Sequence, residues 1–552
     1  MASLDHPLLA ALLARRGLTD PEDVARFLDP RFDEHLHDPH LLHDMDKAVA
    51  RLRAAITQGE RVGIFSDYDC DGIPGAVVLH DFFKSIGFTN FENYIPHRHF
   101  EGFGLSVAAV DVLAKHGVTL IITIDCGTTD REAIAHARSL GIDVIVTDHH
   151  EPGVTLPAEA VAIVNPKLGS YPFTELCGSA VVFKLVQAYI GSGAATLPPG
   201  QERWLLDMVG IATIADMVPL RDENRVFAHY GLLVLRKSRR PGLQKLLRRQ
   251  KLEQRLLTED DIGFSIGPRI NAASRMGEPL EAFYMLAASD PVEAAVRIDH
   301  LEDLNGKRKA AVALMTRDIH ERLKGYVGEL PPVLVFGSPE WRPALVGLAA
   351  NKLAEEYARP AFLWGRDGND VYKGSARSGG GVSVVRLMEA AAPIFLEYGG
   401  HHASGGFSVH DDFIFTLGEE LNRQYQALGA AAVVREELVP DALLTLAEVD
   451  ESLVGMLRKL APFGKGNEKP LFAFSNIVPE QVAVFGKAKE HLKLTFPRGR
   501  GSLEAIAFFA SPQSFSREPR AGVPLSLLAY VEESYFMNRR QVRLRIVDIQ
   551  PV

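Results

Sequence analysis

The sequence predicts an α/β protein built on a doubly wound, mostly parallel sheet. A long connecting helix, a second and smaller α/β domain and a C-terminal β-barrel of the OB type are expected after it. Three observations carry this reading. Short apolar runs alternate with helical stretches from Val62 to Val164. Several of those runs stop abruptly at an acid or a histidine. From about residue 435 the chain breaks into short β-like runs separated by turns.

Bulk properties set the frame. The chain has 552 residues, 47% of them apolar, enough for about three or four domains. The formal net charge is -10, so a polyanionic partner must meet local basic patches. Cys70, Cys126 and Cys177 lack metal-site spacing and point to reduced thiols in a cytoplasmic protein. The apolar run from Pro7 to Leu13 stops at Arg15-Arg16, a poor secretory signal. No stretch approaches the ~18 consecutive apolar residues of a membrane span.

Residues 1–58 read as an amphipathic helical arm packed on the next domain. Leu8, Leu9, Leu12 and Leu13 fall at helical spacing, and Thr19-Asp-Pro-Glu-Asp is a helix start. Residues 59–230 form the doubly wound unit. Strands are expected at Val62–Phe65, Phe91–Ile95, Leu120–Ile124, Val144–Thr147 and Val161–Val164. Helices are expected at Ala76–Ser85, Val107–Lys115 and Arg131–Leu140. In such sheets a ligand sits at the carboxyl ends of the strands.

The acids fall at those ends. Asp67, Asp69 and Asp71, followed by Gly72, come straight after the first run. At a spacing of two, an extended chain aims these carboxylates to one side. They repel one another unless a cation sits between them, and hard oxygen donors suit Mg²⁺ or Mn²⁺. A polar turn capping the next helix is the plain alternative. Asp125 ends a second run, Asp148-His149-His150 a third, and Asp216 follows the apolar stretch Ile211–Ala215. Carboxylates shared between two cations ~4 Å apart can clamp a phosphoryl group. A histidine ligand tilts selection toward Mn²⁺. Adjacent histidines on extended backbone diverge, which assigns His149 to the metal and His150 to a supporting or substrate contact.

Residues 231–325 read as a helical connector. Its basic run Leu235–Arg255 suits either a solvated helix face or contact with a phosphate backbone. Residues 326–430 open on the apolar strand Pro332–Phe336, with a helix at Leu345–Tyr357. They close on the glycine-rich stretch Tyr398–Gly406, where backbone N–H groups and His401 can meet an anion. Residues 435–552 carry the OB-type strands. There Lys487, Lys489, His491, Lys493, Arg539, Arg540, Arg543 and Arg545 interleave with Phe485, Tyr535 and Phe536. Basic groups among aromatics suit single-strand binding.

Asp67-Tyr-Asp-Cys-Asp-Gly72, Ile124-Asp-Cys-Gly127, Asp148-His149-His150 and Ala215-Asp-Met-Val-Pro-Leu220 resemble the four motifs of the DHH phosphoesterase superfamily, in order and spacing. Within it the chain is most similar to the RecJ single-strand-specific exonucleases. Leu28-Asp-Pro, Cys177-Gly-Ser-Ala, Gly267–Arg275, Gly374–Ser378, Gly399-Gly-His401 and Pro462–Asn467 extend the resemblance over nearly the whole chain. The resemblance implies a DHH catalytic domain, a DHHA1 nucleic-acid-binding domain and an OB-fold domain. It implies a 5′-to-3′ exonuclease of single-stranded DNA, using two Mn²⁺ or Mg²⁺ ions in DNA repair and recombination. Asp67, Asp69, Asp71, Asp125, His149 and Asp216 would hold metal, with Asp148 and His150 also in the catalytic set. Arg98, Arg269, Asn271, Arg275, Ser375, Arg377 and His401 would bind DNA or its 5′-phosphate. A single-strand-binding protein or a helicase would be a natural partner.

Three departures from the family pattern stand out. Phe65 occupies a place where superfamily members often carry a histidine ligand, and Arg342 one where histidine is frequent. The stretch Gly399-Gly-His-His-Ala-Ser-Gly-Gly406 is also unusual. Two rival functions remain open at this point. One is a binding subunit without nuclease activity, which should lack some of the acids; none is missing. The other is hydrolysis of short oligonucleotides or cyclic dinucleotides, against which the β-barrel argues.

Overall fold

The computed structural model describes residues 6–326, 328–366, 371–429, 438–486, 489, 491–499, 501–536 and 539–552, with the backbone alone at 535, 536 and 539. Lys487 and the side chains of Tyr535, Phe536 and Arg539 therefore lie outside the described residues.

The first sheet is wholly parallel. Its strands are β1 (Val62–Ser66), β2 (Phe91–Tyr94), β3 (Leu120–Ile124), β4 (Asp143–Thr147) and β5 (Ala162–Val164). Their spatial order is β2-β1-β3-β4-β5. The sequence direction of the sheet reverses between β1 and β3, and a ligand crevice is expected outside their carboxyl ends. The strands read as continuous apolar runs because helices cover both faces. Val62 and Ile64 pack against helices Met45–Gln58, Gly72–Ser85 and Gly178–Gly191. Phe65 points to the other face, toward helices Val107–Lys115 and Arg131–Ser139.

The helical arm divides. Residues of Met45–Gln58 join the first core, as the sequence reading expects. Helices Pro7–Arg15 and Pro21–Leu28 pack elsewhere: Leu9, Leu12, Leu13, Val24 and Phe27 share a core with the C-terminal barrel. An amphipathic stripe states that a helix has a partner, not which one. Arg225 locks this junction. Its guanidinium donates to the carbonyls of Phe27 (2.5 Å), Leu460 (3.1 Å), Ala461 (3.2 Å) and Lys459 (3.3 Å). It also lies 3.5 Å from the centre of the Phe27 ring.

Helix Pro291–Lys324 runs 34 residues, about 50 Å. Ile298, Leu301 and Leu304 in its first half belong to the first core. Val312, Met315, Ile319 and Leu323 in its second half pack on the next domain. That domain holds β6 (Leu334–Gly337), β7 (Ala361–Arg366), β8 (Tyr372–Arg377), β9 (Phe395–Gly400) and β10 (Ser404–Val409), in the order β6-β7-β8-β10-β9. Among the described residues of this sheet only the β6–β7 pair is parallel.

The last sheet comprises β11 (Ala442–Leu443), β12 (Leu471–Ile477), β13 (Gln481–Phe485), β14 (His491–Arg498), β15 (Gly501–Ala507), β16 (Leu525–Phe536) and β17 (Arg539–Gln550). Its order is β11-β12-β16-β17-β15-β14-β13. Four of the basic side chains expected to face nucleic acid here, Lys493, Arg540, Arg543 and Arg545, are paired within the sheet. Glu532 on β16 meets Arg543 (3.5 Å) and Arg545 (3.4 Å), Glu533 meets Arg540 and Arg458, and Glu504 meets Lys493 (2.9 Å). Cross-strand register sets these pairs, and no local pattern announces it.

Candidate metal centre

The site lies at the switch point. Asp67 N–H donates to Ile124, Asp125 N–H to Thr147 and Asp148 N–H to Val164. Each acid thus stands one step past its strand, hydrogen-bonded to the neighbouring strand, and three acids line one crevice edge. After Asp67 the chain is not extended. It turns at once, and Asp71 adopts helical backbone angles. Gly72 permits the turn: a Cβ there would stand 2.4 Å from the Asp67 carbonyl oxygen. The acids converge through this fold-back rather than through the period of a strand.

Each acid is then held differently. Asp69 Oδ1 accepts from Asp71 N–H (2.7 Å) and Gly72 N–H (3.2 Å). The Asp71 carboxylate accepts from Gly178 and Ser179 N–H (2.6 and 2.7 Å) at the start of a 14-residue helix. This gives Cys177-Gly-Ser-Ala its role, which sequence reasoning left without one. Gly178 is required for a second reason: a Cβ would meet the Cβ of Asp125 at 2.6 Å. Asp125 itself has φ +62, a strained conformation for a non-glycine residue. Asp216 arrives from the carboxyl end of helix Leu206–Ala215 rather than from a strand.

His149 Nε2 reaches into the cluster, 3.1 Å from Asp125, 3.7 Å from Asp71 and 3.8 Å from Asp216. His150 does not diverge from it. The chain bends there, and the two rings meet with centroids 4.7 Å apart. Asp148 creates the bend: its Oδ1 accepts from His149 N–H (2.7 Å), His150 N–H (3.1 Å) and His150 Nδ1 (2.8 Å). Its Oδ2 accepts from Thr128 N–H at 2.9 Å. Asp148 therefore orients the histidines. Asn165 supports the same loop by donating to the His150 carbonyl (3.0 Å). Neither Thr128 nor Asn165 carries a sequence signal.

Three overlapping groups place one donor atom per residue within 4.8 Å of the others: Asp67, Asp69 and Asp125; Asp71, His149 and Asp216; Asp125, His149 and His150. Burial, then the neighbouring acids, pushes the Asp67, Asp69 and Asp125 carboxyls up and Asp216 to about 8. Burial opposes charge on His150, but its bond to Asp148 raises it to about 9. Burial would likewise raise Asp148, yet His150 and Thr128 hold it well below the usual carboxylate range. Asp67 Oδ1, Asp125 Oδ1 and Ser66 Oγ are buried without a hydrogen-bond partner. Orphaned oxygens among mutually repelling acids fit divalent cations, and carboxylates with imidazole suit Mn²⁺ or Mg²⁺. Phe65 has no part in this. It is fully buried on the far face, stacked on Tyr94 at 5.6 Å.

The expected phosphate residues divide. Arg98 lies 4.8 Å over the Tyr68 ring, beside the acidic turn. Arg275 donates to the Ala344 carbonyl (2.6 Å), in the first turn of helix Pro343–Tyr357. Burial, then Arg98 and Arg308, lowers its guanidinium to about 10, and Arg377 adds to the effect. Arg377 donates to Ser375 Oγ at 2.7 Å, and both approach Gly347 of that helix. Arg98, Arg275, Ser375 and Arg377 thus form one electropositive cluster between the lobes. Arg269 does not join them. It is buried and bonded to Glu302 (2.6 Å), Ser265 (2.7 Å) and Gln250. Asn271 lies on the same helix with Oδ1 buried and unpartnered. The glycine-rich stretch is a β9–β10 hairpin, in which Gly400 pairs with Gly405 and His401 N–H donates to Ser404. Its ladder takes up N–H groups that an anion cradle would need, while the His401 ring stays exposed.

Comparison with known proteins gives this architecture a family. The model of the DHH family N-terminal domain matches residues 61–213, that of the DHHA1 domain 330–431 and that of the RecJ OB domain 440–548. The single-stranded-DNA-specific exonuclease RecJ of Bacillus subtilis is 33% identical, over 98% of this chain and 68% of its own. That of Escherichia coli is 31% identical, over 99% of this chain and 96% of its own. The crystal structure of RecJ in complex with Mn²⁺ from Thermus thermophilus matches with a TM-score of 0.81 at 27% identity, covering 99% of this chain and 76% of that one. A RecJ–Mg²⁺ complex from the same organism matches with a TM-score of 0.75. The order of the domains, the acids at the switch point and the full-length similarity lead to one conclusion: this chain belongs to the RecJ family.

Proposed function

We propose that this protein is a single-strand-specific DNA exonuclease that hydrolyses phosphodiester bonds from the 5′ end with two Mn²⁺ or Mg²⁺ ions. One observation carries the reading: the convergence of buried, partnerless acid oxygens and His149 at the β1/β3 crevice. Asp67, Asp69, Asp71, Asp125, His149 and Asp216 would hold the cations, with His150 beside His149. Bound cations supply charge neutralisation at the phosphoryl group and acidify water. The chain's own groups do the rest. Asp148 fixes both histidines, and the Gly178 and Ser179 N–H groups fix Asp71. Arg98, Arg275, Ser375 and Arg377 grip the terminal 5′-phosphate, and an Arg fork matches it bidentately. That cluster gives the 5′ polarity.

The relatives' names supply the DNA and single-strand preference. We infer with it a role in DNA repair and recombination, with a single-strand-binding protein or a helicase as partner. We place the protein in the cytoplasm, in keeping with three buried, free cysteines. The test uses 3′-labelled, 5′-phosphorylated single-stranded DNA with Mn²⁺, beside Asp125→Ala and His149→Ala. A shrinking ladder in the wild type alone, abolished by EDTA, is expected. Tight binding without cleavage would overturn the reading in favour of a binding subunit; cleavage of dinucleotides only would overturn the substrate.

A further inference from the structure

The turn Gly464–Asn467 belongs to the C-terminal segment but sits against the first domain. It is closed by two backbone bonds of 3.0 Å between Gly464 and Asn467. Asn467 is fully buried and donates to the Leu460 and Pro462 carbonyls, each at 2.8 Å. The Lys465 carbonyl accepts from Leu220 N–H (2.8 Å), and that of Gly466 from Arg221 Nε (3.0 Å). A Cβ on Gly464 would meet Leu220 at 2.8 Å, so the turn lies flat on the segment following Asp216. Every neighbour of Lys465 is thus fixed, while Lys465 is exposed and its side chain makes no hydrogen bond or ion pair among the described residues. A rigid turn that presents a free ammonium is preorganised for an anion.

The surroundings of the ammonium narrow the choice. The turn packs on Pro219, Leu220 and Arg221, three to five residues past Asp216. Next to Asp216, Met217 is 66% exposed and held at φ +59. An exposed apolar side chain next to Asp216 and a free cation on the turn packed against Leu220 suit a nucleotide unit, with sugar or base on one and phosphate on the other. Two divalent cations would nearly neutralise the five carboxylates of the cluster, leaving the ammonium to a charge outside the protein.

We infer that Lys465 is a phosphate-binding residue, lent to the first domain's crevice by the C-terminal segment, that holds the backbone of the strand beside Asp216. This rests on the nuclease reading and adds a contact separate from the residues proposed for the 5′-phosphate. Being sequence-independent, it serves every register of a strand moving one nucleotide at a time.

The test measures binding of a labelled single-stranded oligonucleotide to the full-length protein by anisotropy, with Ca²⁺ in place of Mn²⁺, over a salt series. Lys465→Gln should weaken binding about fivefold, as for one exposed ion pair. It should also lower the slope of log K against log salt by about 0.7. Lys465→Arg should restore both. An unchanged Kd and slope in Lys465→Gln would overturn the inference. So would a loss traced to weaker Mn²⁺ binding in calorimetry, which would make the lysine a tuner of Asp216. Wild-type cleavage in Mn²⁺, run alongside, tests the nuclease reading separately, because the binding measurement needs no turnover.

Discussion

The acidic turn after β1 and the arginine-rich strand β17 are each dense in one sign of charge, yet they are built on opposite plans. In the turn, like charges face one another and Asp67 Oδ1 is buried without a hydrogen-bond partner. On β17, Arg540, Arg543 and Arg545 each find Glu532 or Glu533 across the strand pair. The first arrangement is unstable without a ligand and therefore implies one. The second is satisfied internally and implies little. Charge density in a sequence is equal in the two cases; only the partners differ. Arg225 shows a third plan, a buried guanidinium satisfied by four carbonyls.

The contrast can be broken by substitution. The largest effect is expected at the acids. Asp125→Ala and His149→Ala should lower nuclease activity by about 10³-fold, read on the labelled strand. Metal-free Asp125→Asn should melt higher than the wild type, because one buried repulsive charge is gone; a lower melting temperature would contradict the cluster's electrostatics. Next, Arg225→Ala leaves four carbonyls without their donor and should cost about 3 kcal/mol. Urea melts would read it, and the C-terminal barrel should come loose first under limited proteolysis. Phe65→His should cost about 2 kcal/mol, because an imidazole replaces a fully buried ring. Mn²⁺ affinity should stay unchanged in calorimetry, whereas a gain would place position 65 at the metals after all. The smallest effects sharpen the comparison directly. Arg98→Gln should weaken binding of 5′-phosphorylated DNA by about ten- to a hundredfold, as for a charged hydrogen bond. Arg543→Gln with Arg545→Gln should change it less than about twofold, since both are already paired.

The same contrast explains which features are legible in the sequence alone. Strands β1, β3 and β4 are readable because strands buried on both faces are unbroken apolar runs. The acids closing them stand out against that background, so most of the metal cluster can be named residue by residue. The rest depends on contacts between distant segments. Nothing local to Leu9 or Phe27 reveals a partner in the C-terminal barrel. Arg269 and Arg275 stand six residues apart on one helix, and only the tertiary fold buries the first against Glu302 and leaves the second in the electropositive cluster. The hairpin at His401 and the convergence of His149 with His150 turn on backbone bends, which composition does not report. Thr128, Asn165 and Lys465 are ordinary residues until the fold gives them neighbours.

Helix Pro291–Lys324 constrains how such a chain can vary. Its two halves are cemented into two different cores. Deleting a single residue between Leu304 and Val312 would swing everything beyond it by about 100° and draw it in by about 1.5 Å. Arg377 and Ser375 would then leave Arg275 behind, although each domain kept its own fold. Length changes in this stretch are therefore quantised. Surface loops can drift by one residue at a time, but this helix can change only by whole turns, and each turn shifts the second lobe by about 5 Å. The distance between the acid cluster and the Arg275–Arg377 group, and on the proposed reading the length of product released, is written into the residue count of one helix.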